Sequence, residues 1–174
     1  MELKIFFEKL MEKKIPFVLI GGTALITYGS SRATFDTDIA IKLFDVDRII
    51  NLIFELKGKI VIDVDKNENP IYENSLNKMR NFIEKNNWGF IKVFFCELEI
   101  DILYDVPVPF MTLYNQAIDL TFENSKSIKV ASLKHLKIMK EKSINNRDSD
   151  EKSDIDKIDL NFINKKIKEN GGEI

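Results

Sequence analysis

The feature that most constrains this chain is a glycine pair between a predicted strand and a predicted helix, with two aspartates a short way downstream. Gly21 and Gly22 follow the apolar run at residues 16–20, which predicts a short buried strand, and precede residues 23–28, which predict a helix. Glycines let a backbone approach an anion closely, and the free N–H groups and dipole of a first helical turn favour negative charge. The sequence therefore predicts a phosphate-binding turn at Gly21, Gly22 and Thr23.

Asp36 and Asp38 form the second half of this pattern. They alternate with Phe35, Thr37 and Ile39, so on a strand both carboxylates point to one face. Two carboxylates on one face can hold a hard cation, and magnesium binds one or two carboxylates together with substrate phosphates. The pair therefore predicts a Mg²⁺ site, with Mn²⁺ as the alternative ion, that serves a nucleoside triphosphate. Two solvated carboxylates on an exposed strand are the simpler alternative.

A further acidic face is predicted on a later strand. Residues 90–95 and 98–103 are two apolar runs joined by a tight connection, which predicts an antiparallel hairpin. On the second run, Asp101 shares a face with Glu97 and Glu99. Alternation alone does not choose between Asp101 and Glu99 as a third metal ligand, and a solvated acidic face remains the other interpretation.

Two cationic side chains are candidates for contacting a triphosphate. Lys140 falls in one narrow helical sector with Leu133 and Ile144, so it stands in the middle of an apolar stripe. It either reaches water by extending its stem over apolar surface or binds phosphate as a point charge and proton donor. Arg32, after the glycine turn, either binds phosphate through its guanidinium or pairs with a neighbouring carboxylate.

Composition narrows the class of protein. The chain has 174 residues, 44% of them hydrophobic, which is enough for a sizeable core, and its formal net charge is −2. The net charge therefore gives no global basic field of the kind that indicates nucleic-acid binding, and RNA binding would need a local basic patch. With one cysteine, Cys96, and no apolar run near the roughly 18 residues of a membrane span, we expect a cytoplasmic protein without disulfides. The candidates for such a patch are Lys134, Lys137, Lys140 and Lys142.

The order of the predicted elements favours an α+β fold, in which a mixed sheet is flanked by helices and followed by a C-terminal helical pair. Residues 1–130 would form the core and residues 131–174 a helical subdomain packed on it. Residues 66–75 are polar and turn-rich, and no regular element is predicted there. The remaining predicted elements are helices at residues 3–11, 45–56 and 76–85, strands at 60–64 and 127–130, and mostly helix from residue 132 onward.

These motifs resemble the polymerase-β-like nucleotidyltransferase superfamily, whose signature is a glycine pair, a spacer helix and an Asp-x-Asp strand. The finer pattern resembles the minimal nucleotidyltransferases related to the toxin of AbiE-type abortive-infection systems. Two departures are Thr23, where a serine is common, and Ser153, where a lysine often precedes the aspartate. The residues that carry the finer resemblance are Gly21, Gly22, Ala24, Leu25, Tyr28, Gly29, Arg32, Thr34, Asp36 and Asp38, then Asp101, Ser132, Leu133, Leu136, Lys140, Arg147, Lys152 and Asp154.

The resemblance implies a nucleotidyltransferase fold and transfer of a nucleoside monophosphate from a nucleoside triphosphate to an acceptor hydroxyl. It selects Asp101 as the third carboxylate beside Asp36 and Asp38, assigns Lys140 to catalysis and triphosphate binding, and adds Asp154 to the nucleotide-binding residues. A tRNA 3′ end, a protein hydroxyl and a small molecule such as an antibiotic are open as acceptors. The likeness to toxin relatives favours the tRNA and adds an antitoxin protein as a candidate partner. An antibiotic-modifying enzyme and a catalytically silent nucleotide- or partner-binding module are the alternatives.

Overall fold

The computed structural model describes residues 3–86, 89–122, 126–146 and 151–171. The contacts between residues divide the chain into two compact units. The first comprises Met1–Phe17 and Phe35–Asp105, and the second comprises Val18–Thr34 and Val106–Ile174. The division into residues 1–130 and 131–174 stays a prediction. The helices and strands of the described residues are α1 (Leu3–Glu12), β1 (Phe17–Ile20), α2 (Gly21–Thr27), β2 (Asp36–Ile41), α3 (Val46–Glu55), β3 (Lys59–Val64), β4 (Pro70–Glu73), α4 (Leu76–Asn86), β5 (Phe90–Phe95), β6 (Leu98–Leu103), α5 (Phe110–Asn115), β7 (Ile118–Phe122), β8 (Lys126–Val130), α6 (Leu133–Asn145) and α7 (Glu151–Glu169).

The first unit is built on five strands in the order β4, β3, β5, β6, β2. All neighbouring pairs are antiparallel except β6 with β2, which run parallel. The predicted hairpin of β5 and β6 is confirmed. The parallel pair matters most for function, because it brings the strand that carries Asp36 and Asp38 beside the strand that carries Asp101.

Helices α1 and α3 bury apolar faces in the core of the first unit. Phe6, Phe7 and Leu10 of α1 are buried at helical spacing, as the sequence predicted. The rings of Phe6 and Phe95 lie 5.5 Å apart, so α1 contacts a side chain at the end of β5. Packing of these aromatic rings in the core stabilises the unit that contains the acidic strands.

The second unit pairs β1 with β8 in parallel and β8 with β7 antiparallel. Every residue of β1 is buried, in agreement with the apolar run that predicted it. Helices α6 and α7 pack on each other, which confirms the predicted C-terminal helical pair. Helix α6 begins after Ser132, whose side chain accepts a hydrogen bond from the backbone N–H of His135.

Two strands were missing from the sequence prediction. β4 lies within residues 66–75, which had been assigned no regular element, and β7 follows α5. β4 opens with Pro70 and is the end strand of the five, where a residue without an N–H costs no ladder hydrogen bond. β4 pairs with β3, the strand just before it in the chain, and β7 pairs with β8, the strand just after it. Residues 118–122 alternate apolar and polar side chains, a strand signal that the sequence analysis overlooked. In the part of the chain that the model describes, no helix is long and apolar enough to cross a membrane.

Candidate functional site

A cluster of carboxylates lies on the parallel pair β2 and β6 in the first unit. In this register Asp36 lies opposite Glu99, and Asp38 lies opposite Asp101. Because side chains alternate along a strand, these four side chains point to the same face. All four are partly buried, whereas Thr37 and Ile39 between them are buried against the other face.

Asp36, Glu99 and Asp101 approach one another most closely. One carboxylate oxygen from each lies within 4.8 Å of those of the other two. The sequence had proposed Asp36, Asp38 and Asp101, so the structure brings two of those three together and adds Glu99. Asp38 lies on the same face, in register with Asp101. The alternation of side chains did not choose between Glu99 and Asp101 as the third metal ligand, and both carboxylates belong to the cluster.

Lys92 contributes a cation to this cluster that the sequence analysis overlooked. It lies on β5 opposite Asp101, and its Nζ atom is 2.9 Å from Oδ1 of Asp101. The same ammonium group also pairs with Glu99. The signal was present in the sequence, because Lys92 alternates with the buried residues Ile91 and Val93 and so had to share the acidic face.

The electrostatics of the cluster reflect burial and crowding. Burial raises the pKa of Asp101, with the nearby charges of Glu99 and Asp36 acting in the same direction against the opposing effect of Lys92. Burial by itself would lower the pKa of Lys92, but its contacts with Glu99 and Asp101 outweigh burial and raise it. The Lys92 ammonium is thus held charged beside a carboxyl group whose ionisation is penalised.

The donor atoms fit a hard divalent cation. All three ligand groups are carboxylates, which suit Mg²⁺ or Mn²⁺ better than a soft metal. Oδ1 of Asp101 is buried and lies 2.9 Å from the Lys92 ammonium group, its ion-pair partner. The oxygen therefore already lies where a positive charge is favoured.

The glycine turn lies in the second unit. α2 begins at Gly21, two residues before the predicted start, because Gly21 adopts a φ of 66° and turns the chain directly from β1 into the helix. Ile20, the residue before α2, makes no side-chain hydrogen bond to the start of the helix. A Cβ atom at Gly22 would collide with the guanidinium of Arg32 and would lie 3.1 Å from Oγ1 of Thr34. Glycine is therefore required at this position for Arg32 to rest against the turn.

Arg32 pairs with a carboxylate of α7. Its Nε atom is 3.1 Å from Oδ1 of Asp159, a side chain that is only 1% exposed. This was one of the two interpretations of Arg32 from sequence, and it leaves the phosphate-binding role as a prediction. The contact places a guanidinium against Gly22, where the sequence had predicted an anion-binding turn.

Lys140 does not extend to water along an apolar stripe. Its Nζ atom lies 2.6 Å from Oδ1 of Asp156 and 2.8 Å from Oδ2 of Asp159, and its side chain is 13% exposed. Asp156 also accepts a hydrogen bond from Ser143 Oγ at 2.7 Å. Asp159 therefore bridges Lys140 to Arg32, which links helices α6 and α7 to the glycine turn within the second unit.

The aspartates that hold Lys140 were not singled out from sequence. Asp154 was the proposed residue, but in the structure it is 73% exposed and pairs with Lys157 on the same helix. Asp156 and Asp159 are buried and three residues apart, the spacing of one helix face. That spacing, continued by the buried Ile163, was the available signal. Arg147 lies outside the described residues, as does the side chain of Lys152.

With this geometry in place, the class of fold can be stated. The chain has a nucleotidyltransferase fold of the α+β class, as predicted. The solved structure of the lincosamide antibiotic adenylyltransferase LnuA, with lincomycin bound, is similar at a TM-score of 0.55 and 13% identity, over 92% of this chain and 95% of that one. An antigenic nucleotidyltransferase-like protein from Paracoccidioides brasiliensis matches at a TM-score of 0.46 and 15% identity, over 91% and 72% of the two chains. No protein-family model and no curated protein sequence matches this chain.

Proposed function

We propose that this protein is a metal-dependent nucleotidyltransferase that moves a nucleoside monophosphate from a nucleoside triphosphate to an acceptor hydroxyl. The observation that carries the proposal is the oxygen-only cluster of Asp36, Glu99 and Asp101 on a fold similar to that of an adenylyltransferase. In the reaction, the acceptor oxygen bonds to the α-phosphorus, the bond from that phosphorus to the bridging oxygen breaks, and pyrophosphate leaves. A bound Mg²⁺ or Mn²⁺ would neutralise charge that develops on the phosphate oxygens.

Asp36, Asp38 and Asp101 are the proposed metal ligands, and the close approach of Glu99 makes it a fourth candidate. The resemblance also makes Asp101 the candidate general base for the acceptor hydroxyl. The contact with Lys92 keeps the carboxyl group oriented for this role.

The proposal assigns triphosphate binding to the glycine turn, Arg32, Lys140 and Asp154. Gly21, Gly22 and Thr23 offer backbone N–H groups at the start of α2. Arg32 rests against Gly22 and supplies a planar cation for phosphate oxygens. Lys140 would donate a proton to the departing pyrophosphate or bind it as a point charge, and Asp156 and Asp159 hold its ammonium group in place. Asp154, although exposed, stays in the proposal as a nucleotide-binding residue.

Two acceptors are worth testing first. The resemblance to AbiE-type toxins favours a tRNA 3′ end, together with an antitoxin protein that would bind the enzyme. The similarity of fold to LnuA, which is described as a lincosamide adenylyltransferase, favours a small antibiotic that bears a hydroxyl group. The third candidate function involves no acceptor: a silent module that binds nucleotide without transferring it.

The test is incubation of the purified full-length protein with Mg²⁺, each α-labelled nucleoside triphosphate and either total tRNA or a panel of lincosamides and aminoglycosides. Transfer of label by the unmodified protein, and not by an Asp36→Ala/Asp101→Ala variant, would support the proposal and identify the acceptor. The matched control is Asp119→Asn, which removes an exposed carboxylate that pairs with Lys129 at 2.9 Å. Magnesium-dependent triphosphate binding without transfer to any acceptor would favour the silent module.

A further inference from the structure

Lys92 lies where it faces two of the three clustered carboxylates. The cross-strand register sets Lys92 opposite Asp101, which in turn lies opposite Asp38, so the three side chains stand in one row across β5, β6 and β2. The neighbouring row contains Phe94, Glu99 and Asp36. Lys92 reaches from the first row to Glu99 in the second, and so its ammonium group lies among the cluster rather than at its margin.

We infer that Lys92 is a built-in counter-ion of this cluster, which competes with the divalent cation for Glu99 and Asp101 and so sets how tightly the cluster binds metal. The inference rests on the proposed metal site, which it refines. Three carboxylates at this spacing repel one another unless a cation lies between them. Lys92 supplies one positive charge, and a divalent ion that binds the same oxygens must either displace that ammonium or be bound beside it.

Charge and geometry both favour this interpretation over a simple surface ion pair. Lys92 contacts two carboxylates at once, and its side chain is only 30% exposed. Solvent therefore screens it less than it screens an ordinary surface lysine. A positive charge fixed next to metal-binding oxygens weakens cation binding through direct repulsion and through occupation of the oxygen lone pairs.

The experiment is a titration of Mn²⁺ alone into the full-length, metal-free protein, followed through the electron paramagnetic resonance signal of free Mn²⁺. We expect Lys92→Met, which keeps much of the stem and removes the charge, to bind Mn²⁺ at least about tenfold more tightly. Lys92→Arg, which keeps the charge, should bind within about threefold of the unmodified protein. The matched control is Lys59→Met on the neighbouring strand β3. The ammonium group of Lys59 lies over the Tyr72 ring and not in the cluster.

The double variant Lys92→Met/Glu99→Gln separates charge from packing. It removes one positive and one negative charge, so we expect its Mn²⁺ affinity to fall back toward that of the unmodified protein. If Lys92 merely braced the strands, Lys92→Met would bind Mn²⁺ equally or more weakly, and that result would overturn the inference. Melting curves without metal check that each variant is folded, and Lys92→Gln replaces Lys92→Met in the same comparison if the latter is not.

The outcome also separates this inference from the proposed function. If Asp36→Asn/Asp101→Asn abolishes Mn²⁺ binding while Lys92→Met leaves the affinity unchanged, the metal site stands and the counter-ion role fails. If neither the unmodified protein nor Lys92→Met binds Mn²⁺, both fail. Tighter binding by Lys92→Met that is lost on adding the two aspartate substitutions would support both.

Discussion

At the scale of single residues, Asp101 is the most heavily constrained group of the carboxylate cluster. It is partly buried, burial raises its pKa, and one of its oxygens lies 2.9 Å from the Lys92 ammonium group. Burial penalises the carboxylate and the ammonium group favours it, so the charge at Asp101 depends on which cations lie beside it.

The first prediction concerns Asp101→Asn. The amide cannot accept a proton and is a poorer ligand for a hard cation, so nucleotidyl transfer should fall by about a hundredfold or more. Single-turnover transfer of an α-labelled nucleotide measures the effect, with Asp119→Asn as the control for loss of an exposed carboxylate. Retention of more than about a tenth of the activity would remove Asp101 from the proposed machinery.

The second prediction concerns His135, the single histidine of the chain. Burial lowers its pKa from the ordinary value, and the charge of Lys134 acts in the same direction. Because the unfolded chain then binds a proton more readily than the folded one, the free energy of unfolding should fall as the pH drops through the ordinary histidine pKa of about 6.5. Above that pH, where the histidine is neutral in both the folded and the unfolded chain, its full contribution to the free energy of unfolding returns.

Urea unfolding at about pH 7.5 and about pH 5.5 measures the pH effect. We expect His135→Gln to flatten the dependence between these values, whatever its effect on absolute stability. An equally steep dependence in the variant would assign the titration to other groups. Carboxylates contribute to both proteins alike and so cancel in the comparison.

At the scale of elements, two aspartates of α7 connect parts of the second unit. Asp159 on α7 pairs with Arg32 after the glycine turn and with Lys140 on α6. Asp156, one turn earlier, pairs with Lys140 and accepts a hydrogen bond from Ser143. The turn is thus connected to both C-terminal helices by buried charges, and a change at any one of them should be felt by the others.

The third prediction is that Asp159→Asn destabilises the protein by about 3 kcal/mol, because it leaves two buried or partly buried cations without a full counter-charge. Asp154→Asn on the same helix is the matched control, since its ion pair is exposed and should contribute less than about 1 kcal/mol. Denaturant unfolding gives both values. Equal losses of unfolding free energy from Asp159→Asn and Asp154→Asn would mean that burial of the Asp159 ion pairs adds no stability.

The fourth prediction tests the glycine turn. Gly22→Ala would drive the guanidinium of Arg32 away, because the added methyl group occupies its position. Because that guanidinium pairs with the buried Asp159, its displacement should lower the melting temperature as well as weaken nucleoside triphosphate binding about tenfold. Isothermal calorimetry and thermal melting separate the two effects. A large loss of stability with unchanged affinity would show that the turn serves packing alone.

At the scale of the whole molecule, metal should act on stability as well as on activity. A ligand that binds the folded chain and not the unfolded one raises the melting temperature, and the rise grows with the logarithm of the ligand concentration once that exceeds the Kd. The fifth prediction is that millimolar Mg²⁺ or Mn²⁺ raises the melting temperature of the unmodified protein but not of Asp36→Asn/Asp101→Asn. An identical rise in both would locate the stabilising ion elsewhere in the chain.

The sequence identified the main strands and helices because their patterns are local. The buried strand before Gly21, the alternation at Asp36 and Asp38 and the hairpin of residues 90–103 all follow from neighbouring residues. The alternation at residues 118–122 is just as local, and β7 was overlooked in spite of it. By contrast, β4 opens with proline in a turn-rich stretch and forms because β3 offers hydrogen bonds to it. Pairing of that kind is a property of the sheet, and a local pattern carries little information about it.

By itself, the sequence determined the α+β class, the glycine turn, the carboxylate-bearing strand faces and the C-terminal helical pair, since each depends on short-range periodicity and on the conformational range of single residues. Only the tertiary structure decided which charges meet. Glu99 joins Asp36 and Asp101 through a parallel register, Lys92 enters the same cluster from β5, and Asp159 connects Arg32 to Lys140. Those contacts join residues far apart in the chain, and the register and packing that create them are set by burial of the whole core.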